Sequence, residues 1–232
     1  MRSRRDASLR GQKQRRRRPG PRRSNVRALI ALAGAAAFAV VAFALLRPAG
    51  STTVAPPVPY TSPVLGSASA PVTIVEYGDF QCPSCGAFFR SVEPRLIADY
   101  INTGKAKLVF KNFAWIGDES RRAAEAAACA GAQGKFWAYH DVLYSSQHGE
   151  NLGAFSASNL KRLADQVGLD RGAFDPCVDG RAYKAAIDAD MSEVRSLGLN
   201  GTPSFTINGQ RLAGSLDYSF FASAIDRQLA GR

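Results

Sequence analysis

Histidine and cysteine are scarce, with two and four respectively in 232 residues. Cys82 and Cys85 form a CxxC, but a second CxxC or a suitably spaced His pair is lacking, so no metal is expected there. His140 and His148 read as surface or boundary residues. No internal repeat is present, which excludes a solenoid or propeller. Acid is almost missing from the front: of 19 Asp and Glu only Asp6 lies in residues 1–27, which carry 12 of the 30 Lys and Arg. That imbalance accounts for the whole net charge of +11, and the remaining 18 basic and 18 acidic residues cancel. The alkaline balance is therefore a property of a tail, and no nucleic-acid partner is expected for the rest of the chain.

The tail centres on Arg15-Arg16-Arg17-Arg18 and is too polar and self-repelling to fold, so residues 1–27 read as a disordered segment. A nucleic-acid arm is the rival reading, and the neutral remainder argues against it. Charge then vanishes from Ala28 through Leu46, a run close to the ~20 residues a helix needs to cross a bilayer. It exceeds the apolar core of about 7–15 residues usual in a signal peptide and reads as an uncleaved anchor. Ala42-Phe43-Ala44 resembles a cleavage site and keeps a signal segment as the alternative. Arg4-Arg5 is followed by Asp6-Ala7-Ser8, far from the apolar run, which weakens twin-arginine export. In either case the basic excess precedes the span, which puts the N-terminus in the cytoplasm and the rest of the chain outside.

Residues 47–63 hold Pro48, Pro56, Pro57, Pro59 and Pro63 and read as a semi-extended linker. Val72–Tyr77 is a strand by its β-branched and aromatic content, and the CxxC follows it directly. Apolar residues at helical spacing predict a helix from Gly86 to about Thr103, kinked at Pro94, and Lys107–Phe113 is a second strand. Helices are expected over Glu119–Ala132, Phe136–Tyr144, Ser156–Val167, Asp170–Cys177 and Tyr183–Leu197, the third and fourth capped by Ser156 and Asp170. Strand character returns in Ser204–Ile207, turns at Asn208-Gly209 and continues through Ala213; a last helix spans about Tyr218–Leu229. The order β-α-β, helical block, β-β-α is that of an α/β thioredoxin fold with an inserted all-helical subdomain at about 116–198, preceded by a single N-terminal transmembrane helix. Trp115, Phe136, Trp137 and Tyr139 read as core of that insertion.

Outside the cytoplasm disulfides persist. Four cysteines allow three pairings. Cys82 and Cys85 are close enough to pair through one turn, which leaves Cys129 and Cys177 for a structural disulfide; the other two pairings would consume the CxxC. Disulfide exchange needs a thiolate, so a redox cysteine must be exposed and acidified. Cys82 at a helix N-terminus gains both from free N–H groups and the helix dipole, and Pro83 fits the first helical position.

The strand Val72–Tyr77, Asp79-Phe80-Gln81-Cys82-Pro83-Ser84-Cys85, the helical insertion and Gly201-Thr202-Pro203 together resemble the DsbA-like thioredoxin family over about residues 64–232. The resemblance implies a cis Pro203 facing the redox pair, a Thr202 backbone that docks an extended substrate, and a buried Glu76 that moves protons to and from Cys85. It implies a protein-thiol oxidase without bound cofactor, acting on reduced exported proteins and reoxidised by a membrane partner of the DsbB or VKOR type. Ser84 departs from the Pro-His dipeptide of a strongly oxidising member, which withholds the strength of the oxidant. A reductase or isomerase with the same residues, a non-catalytic thioredoxin-like binding module or chaperone, and a membrane-tethered nucleic-acid binder are the rival functions.

Overall fold

The computed structural model of the chain describes residue 56 and residues 58–212 and 217–231. The basic tail, the apolar span expected to cross a membrane and most of the proline-rich linker lie outside the described residues. Among the described residues no helix is long and apolar enough to cross a membrane.

In chain order the elements are β1 (Val64–Leu65), β2 (Val72–Gly78), α1 (Pro83–Ser91), α2 (Glu93–Leu96), β3 (Ala106–Asn112), α3 (Asp118–Gly131), α4 (Phe136–Ser145), α5 (Ala157–Gln166), α6 (Arg171–Asp179), α7 (Lys184–Ser196), β4 (Ser204–Ile207), β5 (Gln210–Leu212) and α8 (Tyr218–Ala230). One sheet forms in the order β1-β3-β2-β4-β5. β2 and β3 are parallel, Val72 opposite Ala106 and Gly78 opposite Asn112, while the other pairs are antiparallel. A parallel pair requires a crossover, and α1 with α2 supplies it. The thioredoxin-like α/β order expected from the sequence is present, with five helices inserted between β3 and β4.

Strand periodicity decides what faces α1. Val72, Ile74 and Glu76 share one face of β2 because side chains alternate, and all three are fully buried. Val72 and Ile74 pack with Phe88, Val92 and Leu96 of the α1–α2 segment and with Phe221 and Ile225 of α8. On the opposite face Tyr77 packs with Ile187, Met191 and Val194 of α7. The insertion has its own core around alanine-rich α3, where Ala123, Ala124, Ala126, Ala127 and Ala128 are buried. That core runs without a break into Phe80, Cys82 and Cys85.

Three details differ from expectation. The helix expected over Gly86–Thr103 is broken at Val92, and its end, Ile97–Ile101, is π-helical. Pro94 sits in the first turn of α2, where its missing N–H costs nothing and its ring no longer has to clash with a helical carbonyl four residues back. Ser156 occupies the cap position of α5 without a capping hydrogen bond, whereas the Asp170 carboxylate accepts from the Gly172 N–H. The two-residue strand β1 was not expected, being too short to carry a period. The Asn208-Gly209 turn has both residues at positive φ, 48° and 80°, as a tight hairpin between right-twisted strands requires.

Candidate active site

Cys82 is the N-cap of α1, extended in backbone, with Pro83 as the first helical residue. The loop before it is fixed by a buried acid. The Asp79 carboxylate accepts from the N–H groups of Gln81 (2.8 Å), Trp115 (3.0 Å) and Ile116 (3.2 Å) and from the Ser120 hydroxyl (2.6 Å). The Asp79 carbonyl accepts from the Cys82 N–H at 3.0 Å. From the insertion, the Gln147 amide donates to the carbonyls of Phe80 (2.8 Å) and Cys82 (3.0 Å). The loop that carries Cys82 is thus held by the strand, the 113–117 loop and the helical block together. Sequence reasoning singled out neither Asp79 nor Gln147.

Both cysteines are free thiols, Cys82 6% exposed and Cys85 wholly buried. The Cys82 thiol lies 3.3 Å from the Thr202 carbonyl, and the Thr202–Pro203 peptide is cis. Cys82 is pushed down to about 6, foremost by a hydrogen bond from the Cys85 thiol, with burial opposing and Thr202 and the N–H groups of Cys85 and Ser84 assisting. Cys85 is driven well above the usual thiol range, first by burial and then by the neighbouring Cys82 and Glu76. One sulfur is therefore an attacking or leaving thiolate, and its partner is held as a protonated thiol. Pro83 and Ser84 are exposed at the mouth.

Glu76 is fully buried, and neither carboxyl oxygen has a hydrogen-bond partner among the described residues. Burial, then the charges of Glu93 and Cys82, raises it well above the ordinary carboxyl range. Such an acid retains a proton that it can give to, or take from, a buried thiol. Glu93, 3% exposed, is raised to about 7 by burial, with His140 opposing. His140 was expected near the surface but has no exposed area; its ring meets Phe80, Phe110 and Tyr144 edge-on, and Nδ1 lies 2.9 Å from Asp141 Oδ1. Its place at i+4 from Phe136, on the stripe that also carries Tyr139 and Leu143, is the signal that could have found it. Glu93, His140 and Asp141 bring potential metal-ligand atoms within 4.8 Å of one another.

The four aromatic expectations divide. Phe136 and Tyr139 are core and Trp137 is half-buried against it, but Trp115 is 54% exposed, because the Asp79 carboxylate ties its backbone inward and leaves the indole outside. Cys129 and Cys177 are bonded to each other and join α3 to α6.

The acidified sulfur has a direct consequence for pH. Above pH 6 reduced Cys82 is a thiolate; below it the sulfur is protonated, and alkylation should slow about tenfold per pH unit. Far-ultraviolet thiolate absorbance of the reduced protein should titrate with a midpoint near 6. A midpoint at the ~8.5 of an ordinary cysteine would contradict the site as described.

The thioredoxin family profile matches residues 59–227. A probable disulfide bond formation protein D of Bacillus anthracis is 32% identical over 173 residues, covering 73% of this chain and 79% of that one. The Na(+)/H(+) antiporter NhaA 1 of Salinispora arenicola is 36% identical over 172 residues, which are 72% of this chain but 25% of the antiporter, so the chain spans about a quarter of that relative. Among solved structures, oxidised BdbD from Bacillus subtilis superposes with a TM-score of 0.69 at 27% identity, over 73% of this chain and 93% of that one. With this fold and this match, the chain belongs to the DsbA-like family of thioredoxin-fold protein-disulfide oxidoreductases.

Proposed function

We propose that the chain is an extracytoplasmic protein-thiol oxidase, anchored through residues 28–46, that introduces disulfides into exported proteins through Cys82 and Cys85. The observation that carries this reading is the asymmetry of the pair: an acidified Cys82 at a helix N-terminus and a buried Cys85 held protonated. Each unit by which the Cys82 pKa lies below the ambient pH stabilises the dithiol over the disulfide and makes the pair a stronger oxidant by about 30 mV.

In the disulfide form a substrate thiolate attacks Cys82 Sγ. The Cys82–Cys85 bond breaks, a mixed disulfide forms, and Cys85 leaves as a thiolate that takes a proton from Glu76. A second substrate thiolate attacks the substrate sulfur of the mixed disulfide, forming the substrate's disulfide and expelling the Cys82 thiolate. Two electrons pass from substrate to the pair. Reoxidation passes them on to a quinone-linked membrane partner of the DsbB or VKOR type and restores the Cys82–Cys85 disulfide. The Thr202 backbone, 3.3 Å from Cys82 Sγ at its carbonyl, is the docking edge for an extended substrate, with Pro203 beside it.

Ser84 favours the reductase or isomerase as second reading, since it places no cationic imidazole beside the thiolate. Equilibration of the full chain with glutathione redox buffers separates the two. The oxidase reading expects a Cys82–Cys85 potential clearly above thioredoxin's ~−270 mV, and a value at or below it assigns the reductase instead.

A further inference from the structure

The exchange of disulfides leaves Glu93, His140 and Asp141 unused, although two of the three are buried. Glu93 is 3% exposed, and its Oε2 has no hydrogen-bond partner among the described residues. Among the described residues no Lys or Arg pairs with Glu93 or Asp141, and the ionic contact of Asp141 is with His140 Nδ1 at 2.9 Å. A carboxyl group so placed has given up its hydration with no bond in return. Such an orphaned oxygen next to an imidazole and a second carboxylate asks for a cation.

The three groups come from two parts of the fold. Glu93 opens α2, in the crossover between β2 and β3, whereas His140 and Asp141 are consecutive on α4 of the insertion. One ligand atom from each lies within 4.8 Å of the other two. Bonds of about 2.1 Å to a single ion set ligand atoms about 3.0–3.4 Å apart at octahedral or tetrahedral angles, so a small closure brings all three onto one centre. His140 is already fixed for that purpose: the rings of Phe80, Phe89, Phe110, Trp137 and Tyr144 pack around it at centre distances of 4.8–5.8 Å. Asp141 supplies the closure, since its side chain is 59% exposed. A surface cleft lined by Phe89, Glu93 and Asp141 gives an ion its way in.

We propose that Glu93, His140 and Asp141 bind one divalent transition-metal ion of the zinc class, which ties the α2 crossover to the helical insertion. One imidazole with two carboxylates suits Zn²⁺ and its first-row neighbours, whereas Ca²⁺ and Mg²⁺ take oxygen ligands. The ion takes the place of the hydrogen between Nδ1 and Asp141, and neutral His140 carries its remaining ring hydrogen on Nε2. Water in the cleft completes the coordination. The buried Glu93 carboxylate thereby gains the counter-charge it lacks.

The test titrates Zn²⁺ into the full chain in detergent, followed by calorimetry and thermal unfolding. The chain is first oxidised, so that Cys82 and Cys85 are joined and offer no thiolate to the metal. One equivalent of Zn²⁺ is expected to bind, and Ca²⁺ to bind about a hundredfold or more weakly. Zn²⁺ at about a hundred times its Kd should raise the unfolding midpoint by about 5–10 °C, because the ion binds the folded chain across two elements. Asp141→Asn, at an exposed position, and Glu93→Gln, which keeps the buried shape, should each weaken Zn²⁺ by about tenfold or more and shrink the thermal shift. No Zn²⁺ binding by the wild-type chain, or equal affinity for Ca²⁺, overturns the proposal. So does wild-type affinity in either variant, which would place the bound zinc elsewhere; should Glu93→Gln fail to fold, Asp141→Asn decides alone.

Discussion

A Cys82→Ser variant is expected to lose catalysed oxidation of a reduced unfolded protein by on the order of a thousandfold or more, leaving the uncatalysed rate. A serine hydroxyl neither ionises near neutrality nor forms a disulfide, and Cys85 cannot substitute. Its sulfur is wholly buried and is pushed well above the ordinary thiol range, so it is neither accessible nor ionised when a substrate arrives. The companion Cys85→Ser variant should behave differently: Cys82 remains the acidified nucleophile, but no internal sulfur can displace a bound partner. It should accumulate a mixed disulfide with an oxidised substrate, visible as an added mass that a reductant removes. Retained oxidation by Cys82→Ser, or accumulation of the adduct on Cys82→Ser instead of Cys85→Ser, would reverse the assignment of the two sulfurs.

The division of labour between these sulfurs was legible because its cause is local. A CxxC directly after a strand and at the start of an apolar-periodic helix fixes which cysteine caps the helix, and that placement brings the Cys85 thiol, foremost, and the N–H groups of Cys85 and Ser84 onto the Cys82 sulfur they acidify. Glu76 was placed by the family resemblance, and the structure supplies the local reason: at i+2 from Ile74 and i+4 from Val72 it shares their buried face. The groups missed act across long sequence separations. Asp79 binds residues 115, 116 and 120, and Gln147 reaches back to 80 and 82, so neither has a local pattern to betray it. Trp115 was misplaced because aromatic content says how much area a residue carries, not which way a tethered loop turns it. His140 shows the converse error. Its position at i+4 from Phe136 points inward, against the general preference of histidine for boundaries.

The remaining large effect concerns the bond that does not exchange. Replacing Cys129 and Cys177 together by alanine is expected to lower the unfolding free energy by about 4 kcal/mol, the loop-closure value for the 48-residue separation, and by about 1 kcal/mol more for lost buried volume. The loop contains all of α4 and α5, so the link restrains the unfolded insertion as a unit. Denaturant titration should show a lower midpoint and, because the uncrosslinked denatured chain is more expanded, a steeper slope if the chain still unfolds in one step. The loss should reach the redox centre as well. Phe80, Cys82 and Cys85 share one continuous core with Tyr139, Tyr144 and Phe174 of the insertion, and Gln147 just after α4 holds the Cys82 carbonyl. Thiol-oxidation activity of the double variant should therefore fall along its unfolding curve and not precede it. A stability loss below about 1 kcal/mol would mean that packing of α3 against its neighbours already holds the insertion together, and that the second pair of cysteines serves something other than stability.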